Sequence, residues 1–164
     1  MHSSRMIELT EKAEKHLAIH FGNSNSAGSV FFTHVFASPR ELHEYVNSCE
    51  PSEVISQSEF REALIFHAAE AVGNSGIILR SQVSTENIIS ETRNGFQVEV
   101  ALLEKLELAY EFCVIVEKNN GQSSIVTAFP GGYSLSFPYD GQTAEEFEKS
   151  TEFWQEYILC RKNK

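Results

Sequence analysis

The fold is decided by the run Tyr110-Glu111-Phe112-Cys113-Val114-Ile115-Val116-Glu117, the turn Asn119-Asn120-Gly121 and the run Ser123-Ser124-Ile125-Val126-Thr127-Ala128-Phe129. β-Branched and aromatic residues dominate both runs, as they do in strands. Asn and Gly suit the turn, because they accept the left-handed backbone conformation at little cost. We therefore predict a β-hairpin whose second strand ends at Pro130-Gly131-Gly132.

Helical patterns precede this hairpin. Apolar residues at helical spacing predict a first helix from Ile7 to His20. Ser38-Pro39-Arg40-Glu41 has the composition of a helix start, with a capping serine and a proline in the first turn, and predicts a helix to about Ser48. A similar pattern, Ser56-Gln57-Ser58-Glu59, predicts a third helix through Val72 that stops at Gly73.

Between the first two helices, the small polar run at residues 21–28 predicts a loop, and the aromatic run from Ser29 to Phe36 predicts a strand or a buried extended segment. Later, Ile77-Ile78-Leu79 predicts a strand, and Asn94-Gly95 between alternating runs predicts a second hairpin over residues 91–100.

A capping box at Thr143-Ala144-Glu145-Glu146 predicts a last helix over residues 143–161. We therefore expect one α+β domain over residues 1–164, with N-terminal helices in residues 1–73, an antiparallel sheet of about four strands in residues 76–132, and a C-terminal helix.

The chain is acidic, with 23 Asp and Glu residues against 13 Lys and Arg residues and a net charge of −10. Such a charge repels nucleic acid and anionic membranes at long range and favours basic partners. A local basic cleft remains compatible with it, because net charge describes the whole surface.

The three cysteines, Cys49, Cys113 and Cys160, show no zinc-binding spacing and indicate reduced thiols in a cytoplasmic protein. The first residues lack the apolar run of a signal peptide, and no stretch is apolar enough to span a membrane. Motifs for nucleotide phosphates, dinucleotides or a serine nucleophile elbow are absent, so we expect no cofactor.

Histidines are the natural acid–base groups at neutral pH. His16 and His20 are four residues apart and share a helix face, which suits a metal pair, an acid–base pair beside an RNA backbone, or local hydrogen bonding. The metal pair lacks a third ligand. His34 lies near the end of the predicted strand, where a side chain projects into a cleft or is satisfied by the backbone.

Thr127 and Phe129 share one face of the predicted strand, because side chains alternate along it. A hydroxyl there suits a phosphate oxygen and an aromatic ring suits stacking on a base, while Pro130-Gly131-Gly132 brings backbone close to a ligand. The alternative is an ordinary strand that packs Thr127 and Phe129 against a helix.

The stretches Phe112–Gly121 and Ser124–Pro130 resemble the end of small bacterial RNase toxin domains. These include the RNase A-like C-terminal toxins of contact-dependent inhibition systems and the barnase/EndoU/RelE-like group. The upstream order is also similar, with His34-Val35, then Glu41-Leu42, then Ser56-Gln57-Ser58-Glu59-Phe60.

The resemblance implies a metal-independent endoribonuclease that cleaves RNA by attack of a 2′-hydroxyl on the adjacent phosphate. It implies Thr127 as the hydroxyl residue and either His20 or His34 as the histidine, with charge stabilisation by Arg40 or Arg80. Phe129 stands where such families have a tyrosine, so Tyr133 would have to supply the phenol. Phe129 and Lys118 are then the expected contacts to RNA.

The charge of −10 and the departures from the family pattern support a different hypothesis. A domain of this kind, such as an immunity protein or antitoxin, would mask a basic protein partner without catalysis. Neither hypothesis requires a cofactor or a metal.

Overall fold

The computed structural model describes residues 6–21, 30–93, 95–135 and 137–162. It confirms the α+β class, with three α-helices and eleven strands among the described residues. The helices are α1 (Glu11–Leu17), α2 (Pro39–Ser48) and α3 (Ala144–Glu156). The strands are β1 (Ile7–Glu8), β2 (Glu53–Ser58), β3 (Arg61–His67), β4 (Gly73–Asn74), β5 (Ile77–Leu79), β6 (Ile88–Arg93), β7 (Phe96–Leu103), β8 (Leu108–Ala109), β9 (Glu111–Asn119), β10 (Gln122–Pro130) and β11 (Tyr157–Lys162). The predicted loop at residues 21–28 lies, except for Phe21, outside the described residues.

A five-stranded sheet in the order β1-β10-β9-β3-β2 forms the centre of the fold. The predicted hairpin of β9 and β10 is confirmed, and its turn holds Asn120 and Gly121 at φ 52° and 81°. β9 lies between β10 and β3. Its consecutive residues 112–116 are all buried, so both faces of the strand are covered. A strand covered on both faces reads as a continuous apolar run, which is the pattern seen here.

The helix predicted from Ser56 to Val72 is wrong, because β2 and β3 form an antiparallel hairpin there. β3 pairs with β9 along its whole length, and Ala63-Leu64-Ile65-Phe66 is buried on both faces. A short apolar run of this kind fits a helix and a central strand equally well by periodicity. The supposed capping serines lie at the end of β2, and Gly73 belongs to β4 instead of ending a helix.

Helices α1 and α2 cover one face of the five-stranded sheet, and we call the apolar cluster beneath them the helix-side core. Its rings pack closely, with Phe66 stacked on Phe112 at 5.1 Å and Phe36 edge-on to Phe112 at 5.4 Å. Burying each such side chain contributes about 1.5–3 kcal/mol. Its other buried members are Ile7, Leu17, Phe31, Leu42, Val46, Leu64, Val72, Val114, Val116, Ile125 and Ala128.

Two further predictions near the N-terminus needed correction. The first helix is shorter than predicted: Ile7–Glu8 forms β1 beside β10, and Thr10 caps α1 by accepting from the Ala13 amide at 3.2 Å. For residues 29–36 the strand is wrong over the described part, since Phe31 makes only isolated bridges and the Val35 amide donates to the Phe32 carbonyl in a turn. Phe31 and Phe36 are nevertheless buried, as the alternative of a buried segment expects. The helix from Pro39 to Ser48 is confirmed, and Ser38 caps it.

The second sheet has the order β5-β11-β7-β6 and confirms the strand at residues 77–79 and the hairpin at residues 91–100. The predicted last helix begins as expected at the Thr143–Glu146 capping box, but it ends at Glu156. Residues 157–161, predicted as helix, belong instead to β11, which runs parallel to β7 and buries Ile158 and Cys160 at alternate positions. This period of two, and not the helical period, governs the last described residues.

Candidate functional site

The face of the five-stranded sheet opposite α1 and α2 carries a smaller apolar cluster, which we call the groove-side core. Ala63 and Ile65 of β3 meet Cys113 and Ile115 of β9 there. Ile55, Val126, Phe129 and Tyr133 pack against it. Only part of this face is covered, and the uncovered part opens into a groove.

The groove lies between the β2–β3 hairpin and α3 and has a volume of about 820 Å³. That size falls within the range of roughly 300–1,000 Å³ common for binding clefts. We call it the acidic groove. It is lined by Ser56, Gln57, Ser58, Phe60, Arg61, Glu117, Tyr133, Leu135, Tyr139, Gln142, Glu145, Glu146, Lys149, Ser150, Glu152, Phe153 and Glu156.

Contacts on one side of α3 hold it in place along the groove. Ser150, the buried residue of the helix, accepts from the Gln142 side-chain amide at 3.1 Å. The indole of Trp154 donates to the Leu135 carbonyl at 3.1 Å and stacks on Phe137 at 4.3 Å. The helix therefore packs through these residues and leaves its glutamates to face the groove and the solvent.

The charge of the groove is strongly negative, because five glutamates face only one arginine and one lysine. Arg61 lies 4.0 Å from Glu117, and Lys149 lies 3.2 Å from Glu145 one helical turn away. Among the described residues, Glu152 and Glu156 have no ion-pair partner. Their carboxylates leave an uncompensated negative surface.

Aromatic rings stand beside these carboxylates. Phe60, at the tip of the β2–β3 hairpin, is 57% exposed, and Tyr139 is 39% exposed. Phe153 stacks on Tyr157 at 4.7 Å at the other side of the groove. Rings combined with carboxylates bind guanidinium and ammonium groups, since the ring face and the carboxylate both attract a cation.

A second cleft of about 560 Å³ lies at the end of β10, and we call it the Pro-Gly-Gly cleft. Gly131 and Gly132 line it, and a Cβ at Gly132 would come 3.0 Å from a Glu111 carboxylate oxygen. His67 Nε2 lies 3.4 Å from Glu111 Oε2. Tyr133 lines this cleft and the acidic groove alike, so the two adjoin.

Thr127 and Phe129 lie on the face of the five-stranded sheet opposite the helix-side core. Ala128 between them belongs to the helix-side core, so both neighbours point to the opposite face by alternation. Phe129 packs on the groove-side core. Phe31, whose amide donates to the His20 carbonyl at 2.6 Å, is buried in the helix-side core. His34 follows Phe31 closely in the chain.

The two histidines lie in short turns. His34 is exposed in the turn before α2, with its ring stacked on Phe32 at 5.5 Å. His20 ends the 3₁₀ turn after α1, its ring centroid 6.4 Å from that of His16. No group of three or more His, Cys, Asp and Glu side chains in the described ranges is placed to hold a metal ion.

The predicted basic residues are engaged by carboxylates. Arg40 donates to Glu14 at 2.9 Å from a largely exposed position. Arg80 binds Glu99 at 2.6 Å and the Trp154 carbonyl at 2.7 Å, on the side of α3 that faces β7. Lys118 lies 3.0 Å from Glu62. Each cation thus sits in a different part of the molecule.

Two cysteines are unsuited to nucleophilic chemistry. Burial, with a smaller contribution from Glu111, raises the pKa of the Cys113 thiol to about 12. Burial likewise raises the pKa of Cys160 to about 11. Neither thiol forms a thiolate near neutral pH, which agrees with the absence of a cysteine motif in the sequence.

Sequence reasoning missed the acidic groove. The signal was present in Glu145, Glu146, Glu152 and Glu156, which recur along the predicted last helix. This pattern alone does not predict a groove, because a row of glutamates is usually only a solvated helix face. The hairpin that carries Phe60 to the other wall was predicted as a helix.

Among the described residues, none of the helices has the length and apolar character needed to cross a membrane. No protein-family model matches the chain, and no curated protein matches it. A solved structure of a conserved hypothetical protein from Toxoplasma gondii ME49 is similar, at 11% identity and a TM-score of 0.49, over 84% of this chain and 94% of that one. This likeness supports no inference about activity.

Proposed function

We propose that the protein binds a basic segment of another protein and that the acidic groove is the surface that takes it. The observation that carries the proposal is the surplus of carboxylates beside exposed rings, above all Glu152, Glu156 and Phe60. Such a surface attracts Arg and Lys side chains and repels acidic partners. Immunity proteins and antitoxins that mask a basic partner are proteins of this kind.

The test is the affinity of the whole chain for a synthetic Arg-rich peptide, measured by fluorescence anisotropy at low and at physiological salt. The double variant Glu152→Gln/Glu156→Gln should weaken binding about three- to tenfold, since each lost charge pair contributes up to about 1 kcal/mol. Phe60→Ala should weaken it further by removing a ring that packs on the guanidinium groups.

The matched control is Glu86→Gln/Glu104→Gln, which removes the same net charge at exposed positions outside the groove. It should bind as the unchanged protein does. Equal losses from both double variants would show that only the overall charge attracts the peptide, and the groove would lose its role.

RNA cleavage is our second proposal, supported by His67 and Tyr133, which line the same Pro-Gly-Gly cleft. A histidine and a phenol at one cleft can move protons to and from a 2′-hydroxyl and a leaving oxygen. It ranks second because Glu107 and Glu111 line the same cleft and repel a phosphate.

RNA incubated with the protein in EDTA should be cleaved if this second proposal holds. His67→Ala and Tyr133→Phe should then abolish cleavage, while His34→Ala, remote from the cleft lining, should not. RNA that stays intact with the unchanged protein would eliminate the proposal.

A further inference from the structure

One wall of the acidic groove is the edge of a sheet. β2 ends the five-stranded sheet, and among the described residues β3 is its sole strand neighbour. Every second N–H and C=O of an edge strand points away from its partner and is available for pairing. Ser56, Gln57 and Ser58 of β2 line the groove directly.

This edge is only partly protected against pairing. Edge strands are commonly guarded by lysine or proline, by a bulge or by a covering element. Glu53–Ser58 contains neither lysine nor proline, and Val54 is exposed. Its bulge, a register shift between Ser56 and Ser58, lies at one end of the strand and leaves residues 53–56 in regular pairing with β3.

From these observations we infer that the basic segment binds as an added β-strand, paired with the backbone of β2. The inference rests on the proposed function and adds the conformation and pattern of the bound segment. Main-chain hydrogen bonds to β2 supply affinity, and the acidic wall of α3 selects the side chains. The recognised segment is extended and carries Arg or Lys at every second position.

The alternating pattern follows from strand geometry. Successive side chains of a strand point to opposite faces of the sheet. On a strand paired with the regular part of β2, residues 53–56, one set of side chains therefore shares the face of Ile55, which packs on the groove-side core. That set meets Glu152 and Glu156, while the other set lies on the opposite face.

A second copy of this chain is a poorer occupant of the same edge. Two β2 strands side by side would bring two copies of Glu53 and two acidic grooves together. With a net charge of −10 on each chain, this approach is opposed electrostatically. A basic strand carries the opposite charge, so the acidic groove attracts it instead of repelling it.

Three peptides of equal length and with the same side chains separate the possibilities. The first alternates Arg with Thr, the second carries N-methyl groups on every second residue of that sequence, and the third groups its arginines in one block. N-methylation removes amide donors and keeps the charge, so it should weaken binding about tenfold or more, as expected for several lost hydrogen bonds. The block peptide should also bind more weakly than the alternating one.

Hydrogen exchange provides the second measurement. Binding of the alternating peptide should slow exchange in Glu53–Ser58, while β6, the long edge strand of the other sheet, should stay unchanged. If the N-methylated peptide binds equally well, strand addition is wrong while charge-based binding in the groove stands. If none of the peptides binds, the proposed function itself fails. If the chain instead forms a concentration-dependent dimer in which exchange is slowed at β2, the edge binds a second copy of the chain.

Discussion

One extra residue in β10 sets the direction of its side chains. Ile125 pairs with Val116 and Thr127 with Ile115, so Val126 is a bulge residue without a partner. Beyond the bulge, Ala128 joins Ile125 in the helix-side core, and Phe129 turns to the groove-side core. Simple alternation would have placed Ile125 and Phe129 on one face. Bulges of this kind have no clear sequence signal, which is why the surroundings of Thr127 could not be foreseen.

Thiol accessibility gives a prediction at the same scale. Cys113 and Cys160 are buried, and burial raises the pKa of both thiols, whereas Cys49 is half-buried. With an aromatic disulfide reagent at pH about 8, Cys49 should react first, and the other two only after unfolding. Cys49→Ser should remove the fast phase, and a fast phase that survives in this variant would contradict the assignment.

The ion pair of Glu91 should contribute to the pH dependence of stability. Arg161 of β11 holds its carboxylate with both terminal nitrogens across β7, and this contact lowers the pKa of Glu91. A lowered folded-state pKa stabilises the fold above the usual glutamate range, and this stabilisation is lost as pH falls through the folded pKa. Glu91→Gln should therefore cost about 1 kcal/mol at pH 7 and flatten the loss of stability below pH about 5.

The measurement is urea unfolding across pH, with Glu86→Gln as the control at an exposed position. The control should leave the midpoints almost unchanged. A Glu91→Gln variant with the same acid sensitivity as the unchanged protein would show that the Arg161 contact has no part in it.

At the scale of elements, turn and cap patterns located several elements correctly, but the cap pattern at Ser56–Glu59 did not, since a β-hairpin forms there. Asn120-Gly121 located one hairpin turn, and Thr143 with Glu146 located the start of α3, because these signals act within four residues. The β2–β3 hairpin and β11 were missed because their conformation depends on distant strands. β3 needs β9, and β11 needs β5 and β7, before an extended backbone is favoured.

Gly73 provides a prediction for the junction of β4 with β10. A Cβ there would lie 2.3 Å from the Val30 carbonyl oxygen and 2.7 Å from Pro130 Cγ. Gly73→Ala must displace backbone and should destabilise the fold by about 1–3 kcal/mol or more in thermal or urea unfolding.

Gly132→Ala is the matched control, because its Cβ would meet the end of the Glu111 side chain, which can rotate away. It should cost less than Gly73→Ala. The reverse order would mean that the close approach at β4 is not present in solution.

At the scale of the whole molecule, the feature that bears most on function is the negative charge. The chain has a net charge of −10, and five of its glutamates line the acidic groove. The basic character of the proposed partner is therefore an inference that composition alone allows. The position of the acidic groove could not be inferred from composition, since it depends on α3 and the β2–β3 hairpin facing each other.

Association kinetics should report this long-range field. The on-rate for a basic peptide should fall steeply as salt rises, because ions screen the attraction beyond about 8 Å at physiological ionic strength. The off-rate should change less, since it reflects contacts already made in the groove. Stopped-flow fluorescence over a salt series measures both, and a salt-independent on-rate would contradict electrostatic steering.

The position of β11 between β5 and β7 also bears on how the protein is made. A ribosome releases β5, β6 and β7 long before Tyr157–Lys162, so the nascent chain carries two strand edges that its own later residues must join. The five-stranded sheet needs nothing after Pro130 for its strands and can pair first. We therefore expect the five-stranded sheet to pair first, and a nascent chain halted before Tyr157 should be a target for chaperones that bind open strands.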